Sequence, residues 1–307
     1  MRILVLRAGG IGGYYGGRIQ AAGGDVTFLV RAARAEQLRR DGLKVVSSFG
    51  DLLLTPQVVT KEEIKEPFDV IILSCKAYDL ESAMEAIAPA VGAGSVILPL
   101  LNGVKHIDML VERFGVSHVL GGVAAISVTL APTGEIQHLN KMHRFIAGAR
   151  SETPPGVVES FLALLPKTGF EFIASNNIDQ ALWDKFVFLT TLAAATCTMR
   201  ASVGQIMNTV AGEGFITGIF DECARTAAAN GHALGETQLN AFRGQLTDKA
   251  SGLMASMLRD VEKGGATEAD HILGDMVARA EARQVEVPLL RLAYSHLQAY
   301  DLRRKAG

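Results

Sequence analysis

Apolar residues fall into short uninterrupted runs through the first half of the chain. Arg2 to Leu6 and Asp25 to Val30 read as strands, and FDVIILS, from Phe68 to Ser74, is apolar almost throughout, as suits a strand buried on both faces. Ser95 to Leu98, Gly121 to Leu130 and Arg144 to Ala147 repeat the signal. Helix-like stretches separate the first of these runs: a glycine-rich one from Gly9 to about Ala22 and a basic one from Ala32 to Arg40. Strands alternating with helices predict a doubly wound parallel sheet. Leu43 to Val59 breaks into short alternating pieces around Pro56 and predicts a small excursion beside that sheet.

From about Asn177 onward the period changes and strand signals nearly vanish. Ala269, Ile272, Leu273, Met276, Val277 and Ala280 follow the spacing of one helical face, a core stripe. Thr267 with Asp270 three residues later is an acidic variant of the capping box and a start for that helix. The strand-like FEFIA gives way to SNN at residues 174–178, which places a boundary between a sheet domain, 1–175, and an all-helical domain, 176–307. The helical domain is expected to carry substrate binding and, in a homodimer, the contact between copies.

Composition narrows the classes. Thirty basic against thirty-two acidic residues leave a net charge of -2, too little excess to hold a nucleic-acid backbone. No uncharged apolar run approaches the ~20 residues of a membrane-spanning helix. The opening MRILVLRAGG lacks the longer apolar core of a secretory signal, so a cytoplasmic protein is expected. Cys75, Cys197 and Cys223 form no CxxC pair, and the seven histidines make no HExxH, which argues against a disulfide scaffold and a zinc site.

The 32 glycines are the one compositional oddity, and they cluster at Gly9, Gly10, Gly12, Gly13, Gly16 and Gly17. This cluster follows a strand and opens a helix, the context of a dinucleotide fingerprint and of a Rossmann-like fold. A pyrophosphate must approach the backbone closely and accept hydrogen bonds from amides at a helix start, here those of Gly9, Gly10, Ile11 and Gly12. The fingerprint departs from G-x-G-x-x-G at its first position, where Arg7 stands. An Asp or Glu at the end of the second strand would bind the ribose of NAD; this strand ends in Arg31, with Arg34 one turn on, so NADP(H) is expected. The competing reading makes both arginines part of a solvated basic helix with Arg39 and Arg40.

Polar residues at strand ends extend this edge. Lys76 in SCKAYD and Asn102 in LNGV each follow a strand, where open parallel sheets bind ligands. In the helical half, Lys185 precedes fourteen uncharged residues. Burial lowers a lysine pKa, and such a lysine can donate a proton to a developing alkoxide. Alternatively it pairs locally or lies along Trp183. Glu268, at the start of its helix, is a second candidate, with the helix dipole as its competing explanation.

Taken together, ILVLRAGGIGGYYGG, Arg31, CKAYD, LLNGV, NNIDQALWDKF, SMLRD and TEADHILG resemble, in this order and across essentially the whole chain, the ketopantoate reductase family. The resemblance implies NADPH-dependent reduction of 2-dehydropantoate, a 2-oxo acid, to pantoate on the route to coenzyme A. It implies Lys185 as general acid, Glu268 positioning substrate and lysine, Asn102 near the nicotinamide, Ser256 on the substrate carboxylate and Lys76 at the cofactor. Family members typically carry asparagines four and eight residues after the lysine; here stand Leu189 and Ala193. Those two positions leave open a different, more apolar 2-oxo acid, or a non-catalytic NADP(H)-binding protein. Thr190, Thr191 and Thr196 offer hydroxyls of unknown direction.

Overall fold

The computed structural model of the chain describes residues 1–150 and 156–306, which form two compact units. The first comprises residues 1–101 and 106–181, the second residues 102–105 and 182–307.

At the centre of the first unit lies β1 (Arg2–Leu6), paired in parallel with β2 (Asp25–Leu29). The helices α1 (Gly10–Ala21) and α2 (Ala32–Asp41) follow these two strands. The pieces expected beside the sheet divide between two sheets. β3 (Leu43–Val46) and β4 (Leu52–Leu54) pair antiparallel in a second sheet, whereas β5 (Gln57–Val59), beyond Pro56, pairs with β2 as the edge of the first. β6 (Val70–Leu73), α3 (Leu80–Ile87), β7 (Val96–Pro99) and α4 (Lys105–Phe114) follow in the chain. The first sheet is parallel throughout, in the order β5-β2-β1-β6-β7. Each residue of β6 and β7 is buried, as their unbroken apolar runs require. Because the strand order reverses between β1 and β6, the carboxyl ends of these strands frame the crevice where such sheets take ligands.

The second sheet is built on the hairpin β8 (Gly121–Leu130) and β9 (Ile136–Gly148), followed by α5 (Val157–Leu164) and β10 (Glu171–Ala174), in the order β10-β9-β3-β4. α1 packs against both sheets. A Cβ on Gly16 would come within 2.9 Å of the Phe28 ring on β2, and one on Gly17 within 3.1 Å of Leu43 on β3. A Cβ on Gly12 would collide with the Ser74 hydroxyl and stand 2.6 Å from the Arg7 carbonyl. Tyr14 and Tyr15 are fully buried between these glycines, and the Tyr15 hydroxyl donates to the Arg144 carbonyl at 3.1 Å. Gly12, Gly13, Gly16 and Gly17 are therefore packing positions, and the cradle for a phosphate is confined to the start of the helix.

α6 (Ile178–Met199) carries the chain into the helical unit. There α7 (Val203–Met207) opens on a complete capping box of Ser202 and Gln205, followed by α8 (Gly212–Ala229), α9 (Glu236–Leu246) and α10 (Ser256–Glu262). α11 (Asp275–Ala282) is preceded by one wide π turn, Asp270–Gly274, and α12 (Pro288–Ala306) closes the chain. The predicted stripe from Ala269 to Ala280 is buried at all six positions. Its start differs from the capping-box expectation: the Thr267 hydroxyl accepts from the Ala269 N–H and donates to the Asp301 carboxylate at 2.5 Å. Buried Glu222 on α8 receives the N–H groups of Leu289 and Leu290 at 3.0 and 2.8 Å, satisfying the first turn of α12.

Two glycine substitutions separate packing from propensity. Gly12→Ala is expected to lower the unfolding free energy, since overpacking of about 1–3 kcal/mol exceeds the roughly 1 kcal/mol that alanine gains in a helix. Gly214→Ala on α8, with nothing within 4 Å of the added atom, is expected to raise it by about 0.5–1 kcal/mol. Urea unfolding of both variants, followed by circular dichroism, measures the two signs.

Candidate active site

Beyond β1 the chain makes the turn of a dinucleotide fingerprint with an arginine in the place of its first glycine. Arg7 adopts φ 67°, the left-handed region that costs a non-glycine residue about 1–2 kcal/mol. Its N–H donates to the Leu29 carbonyl at 2.9 Å, and its guanidinium donates to the Asp79 carboxylate at 2.7 Å. The backbone turn is thus retained, and the side chain is directed to Asp79, just before α3. Gly9 forms the N-cap of α1 with no side-chain cap and no acidic residue in the first turn. A Cβ on Gly9 would meet nothing within 4 Å, so open space lies where an anion would approach the helix amides. These features fit a dinucleotide pyrophosphate held by Gly9, Gly10, Ile11 and Gly12.

Arg31 caps α2 and is exposed, and it lines a pocket of about 360 Å³ beyond the ends of β1 and β2, together with Arg7, Thr60, Lys61 and Ser82. That volume falls in the range of small-molecule pockets, about 300–1,000 Å³. Arg34 departs from the expectation of a second phosphate-binding guanidinium. Its Nη2 donates to the carbonyls of Ala8 and Gly134, both at 3.0 Å, and its Nη1 to the Gln37 side chain at 2.7 Å. It therefore braces the turn before α1. Lys76, half-buried, follows β6 and leads into the short turn Ala77–Asp79 that carries the partner of Arg7. Asp79 lay within the CKAYD stretch without an assigned role; its pairing with a residue 72 positions earlier has no local signature.

The helical unit brings a second group together. Lys185 is partly buried on α6, and burial pushes its pKa down to about 8 against the opposing pull of the Glu268 carboxylate. Glu268 is buried just before the π turn, where its carbonyl accepts the N–H groups of His271 and Ile272 at 3.1 and 3.0 Å. Trp183 lies two residues before Lys185 and so on another side of the helix; it stacks on His232 at 5.0 Å and has Arg279 5.5 Å from its ring centre.

Asn102 belongs to the helical unit, in the segment 102–105. The next residue, Gly103, has φ 81°, and a Cβ there would meet the His271 ring and carbonyl at 3.3 Å. Asn102 is thereby placed next to the π turn that follows Glu268. His271 is buried, and burial followed by the charges of Lys105 and Arg279 lowers its pKa to about 4, so it is neutral at pH 7. Nothing in TEADHILG itself marks this histidine as buried and neutral. Ser256 stands exposed at the first position of α10.

Leu189 and Ala193 follow Lys185 at intervals of one turn, and Ala193 is buried. The hydroxyls of Thr191 and Thr196 donate back to the Val187 and Leu192 carbonyls of their own helix, at 2.9 and 2.7 Å. Neither replaces an amide donor on that face.

Comparison with known proteins identifies the family. Residues 3–152 match the family described as ketopantoate reductase PanE/ApbA, and residues 177–301 match its C-terminal domain. The chain is 35% identical over 306 residues to the uncharacterized oxidoreductase YkpB of Bacillus subtilis, covering 98% of this chain and 99% of the relative. It is 27% identical to the 2-dehydropantoate 2-reductase of Halobacterium salinarum, covering 95% and 96%. Among solved structures, 2-dehydropantoate 2-reductase from Methylococcus capsulatus superimposes with a TM-score of 0.89 at 27% identity, covering 99% of this chain and 98% of that one. A parallel-sheet dinucleotide fold, a helical half with its lysine beside a carboxylate, and matches to both parts of one family make this chain a member of the ketopantoate reductase PanE/ApbA family of oxidoreductases.

Proposed function

We propose that the chain is a cytoplasmic NADPH-dependent reductase of a 2-oxo acid, with 2-dehydropantoate as substrate and pantoate as product, serving pantothenate and coenzyme A synthesis. The observation that carries this reading is Lys185, a lysine whose pKa burial brings to about 8 while the Glu268 carboxylate favours its charged form. A general acid works best with a pKa near the operating pH, and perturbed pKa values cluster at functional sites. When bound, the reduced nicotinamide supplies a hydride to the 2-carbonyl carbon. Lys185 holds a proton at Nζ and delivers it to the carbonyl oxygen, which completes the alcohol. Glu268 keeps the ammonium charged and directed, Asn102 supplies an amide beside the reacting carbonyl, and Ser256 supplies a hydroxyl for the substrate carboxylate. The amides of Gly9, Gly10, Ile11 and Gly12 hold the pyrophosphate, with Lys76 at the same edge. Arg31 supports NADP(H) over NAD(H), because a phosphate on the ribose gains a guanidinium there and β2 ends without a carboxylate to bind a bare hydroxyl.

A second reading concerns the substrate. Leu189 and Ala193 present apolar surface on the turns after Lys185, and Thr191 and Thr196 turn back into their helix. Two lost polar contacts of about 1–3 kcal/mol each favour a bulkier or more apolar 2-oxo acid over 2-dehydropantoate.

Three outcomes test these readings. Lys185→Ala is expected to lower kcat/KM for NADPH oxidation with 2-dehydropantoate by about 10²–10⁴-fold, with NADPH affinity unchanged in a fluorescence titration. Undiminished turnover would refute the general-acid assignment. Because the reduction needs charged Lys185, its kcat/KM is expected to be highest below and to fall as pH rises through about 8, while oxidation of the 2-hydroxy acid rises over the same range. A panel of 2-dehydropantoate, 4-methyl-2-oxopentanoate and phenylglyoxylate decides the substrate: highest efficiency with the first removes the second reading.

A further inference from the structure

The pocket beyond β1 and β2 contains a cation at a position where the dinucleotide fingerprint ordinarily has no side chain. Arg7 enters the left-handed region without glycine's freedom, and the turn still closes through its N–H to Leu29. The side chain lines the pocket with Arg31 and Lys61, from the ends of β1 and β2 and the segment after β5. The Asp79 carboxylate that holds Arg7 is outside the pocket lining. It takes one N–H of a guanidinium that has five, and so fixes the fork while leaving donors for a ligand. The carboxylate that does line the pocket, Glu62, is drawn to its own backbone N–H and to the Thr60 side chain. Three cations around a volume of about 360 Å³ exceed what an uncharged adenosine requires and suit a dianionic phosphate, which a planar guanidinium binds through paired N–H groups.

We propose that Arg7 is a nucleotide-specificity residue: oriented by Asp79, its guanidinium joins Arg31 and Lys61 in receiving the ribose phosphate that distinguishes NADP(H) from NAD(H). The inference rests on the reading of the chain as a nicotinamide-dependent reductase and adds to it a binding group supplied from the fingerprint turn itself. Fixing the guanidinium before the ligand arrives removes part of the ordering cost of binding.

The test compares wild type, Arg7→Gly and Arg7→Lys as full chains, titrated with NADPH and NADH by fluorescence and with adenosine 2′,5′-bisphosphate and 5′-AMP by calorimetry. Arg7→Gly is expected to weaken NADPH and the bisphosphate by about tenfold or more, with NADH and 5′-AMP changing by less than about threefold. Arg7→Lys is expected to fall between, retaining charge without the fork. Glycine relaxes the left-handed turn, so the melting temperature of Arg7→Gly should match or exceed that of wild type, which separates lost binding from lost folding. Equal or tighter NADPH binding by Arg7→Gly, or a matching loss for NADH, overturns the inference and leaves the reductase reading standing. A wild-type chain that binds neither dinucleotide overturns both.

Discussion

The first unit depends on the close approach of α1 to a sheet on each of its sides. Gly12 and Gly16 let the helix settle on β1 and β2, while Gly17 does the same toward β3 of the second sheet. A helix held this way is buried over most of its circumference: it carries two fully buried tyrosines, and its one charged residue, Arg18, is buried and donates to the Gly50 carbonyl at 2.6 Å. The consequence for ligand binding is positional. α1 lies close to both sheets, and its first amides stand just beyond the end of β1. Anion binding at a helix start then needs no rearrangement when the ligand arrives.

In the helical unit two opposing influences meet at one lysine. Burial lowers the pKa of Lys185. Glu268 restores part of the charged form, and the helix that follows widens by one π turn at that place. Such widenings alter which way successive side chains face and occur frequently at functional sites. The same turn brings His271 against Gly103 and so ties the Asn102 segment to the element that carries the carboxylate.

The strands of the first sheet were legible because burial on both faces leaves uninterrupted apolar runs, and the stripe from Ala269 to Ala280 because a helix with one buried face repeats regularly. The partition of Leu43 to Val59 between two sheets was not legible. Pairing of β3 with β9 joins residues some ninety positions apart, and nothing in either segment names the other. The packing roles of Gly13, Gly16 and Gly17 were not legible in the glycine cluster, because spacing alone does not distinguish a glycine facing a ligand from one facing a neighbouring strand. Lys185 and Glu268 were legible as candidates from their surroundings, whereas the direction of Arg7 was not, since it is decided by the distant Asp79. Arg34 looked like a ligand group on charge alone, and its carbonyl partners come from α1's preceding turn and from the hairpin.

That last contact couples parts of the chain that are distant in sequence. Arg34 bridges the Ala8 and Gly134 carbonyls, and Gly134, at φ 91°, lies so close that a side chain there would strike both Arg34 and Gln37. A hairpin tip is ordinarily the place where homologous proteins tolerate insertions. Here the tip is one end of a clasp on the nucleotide turn. Lengthening it would withdraw a carbonyl from Arg34 and loosen the hold on the turn that precedes α1, so the length of this hairpin tip is tied to the geometry of a helix start far from it in sequence.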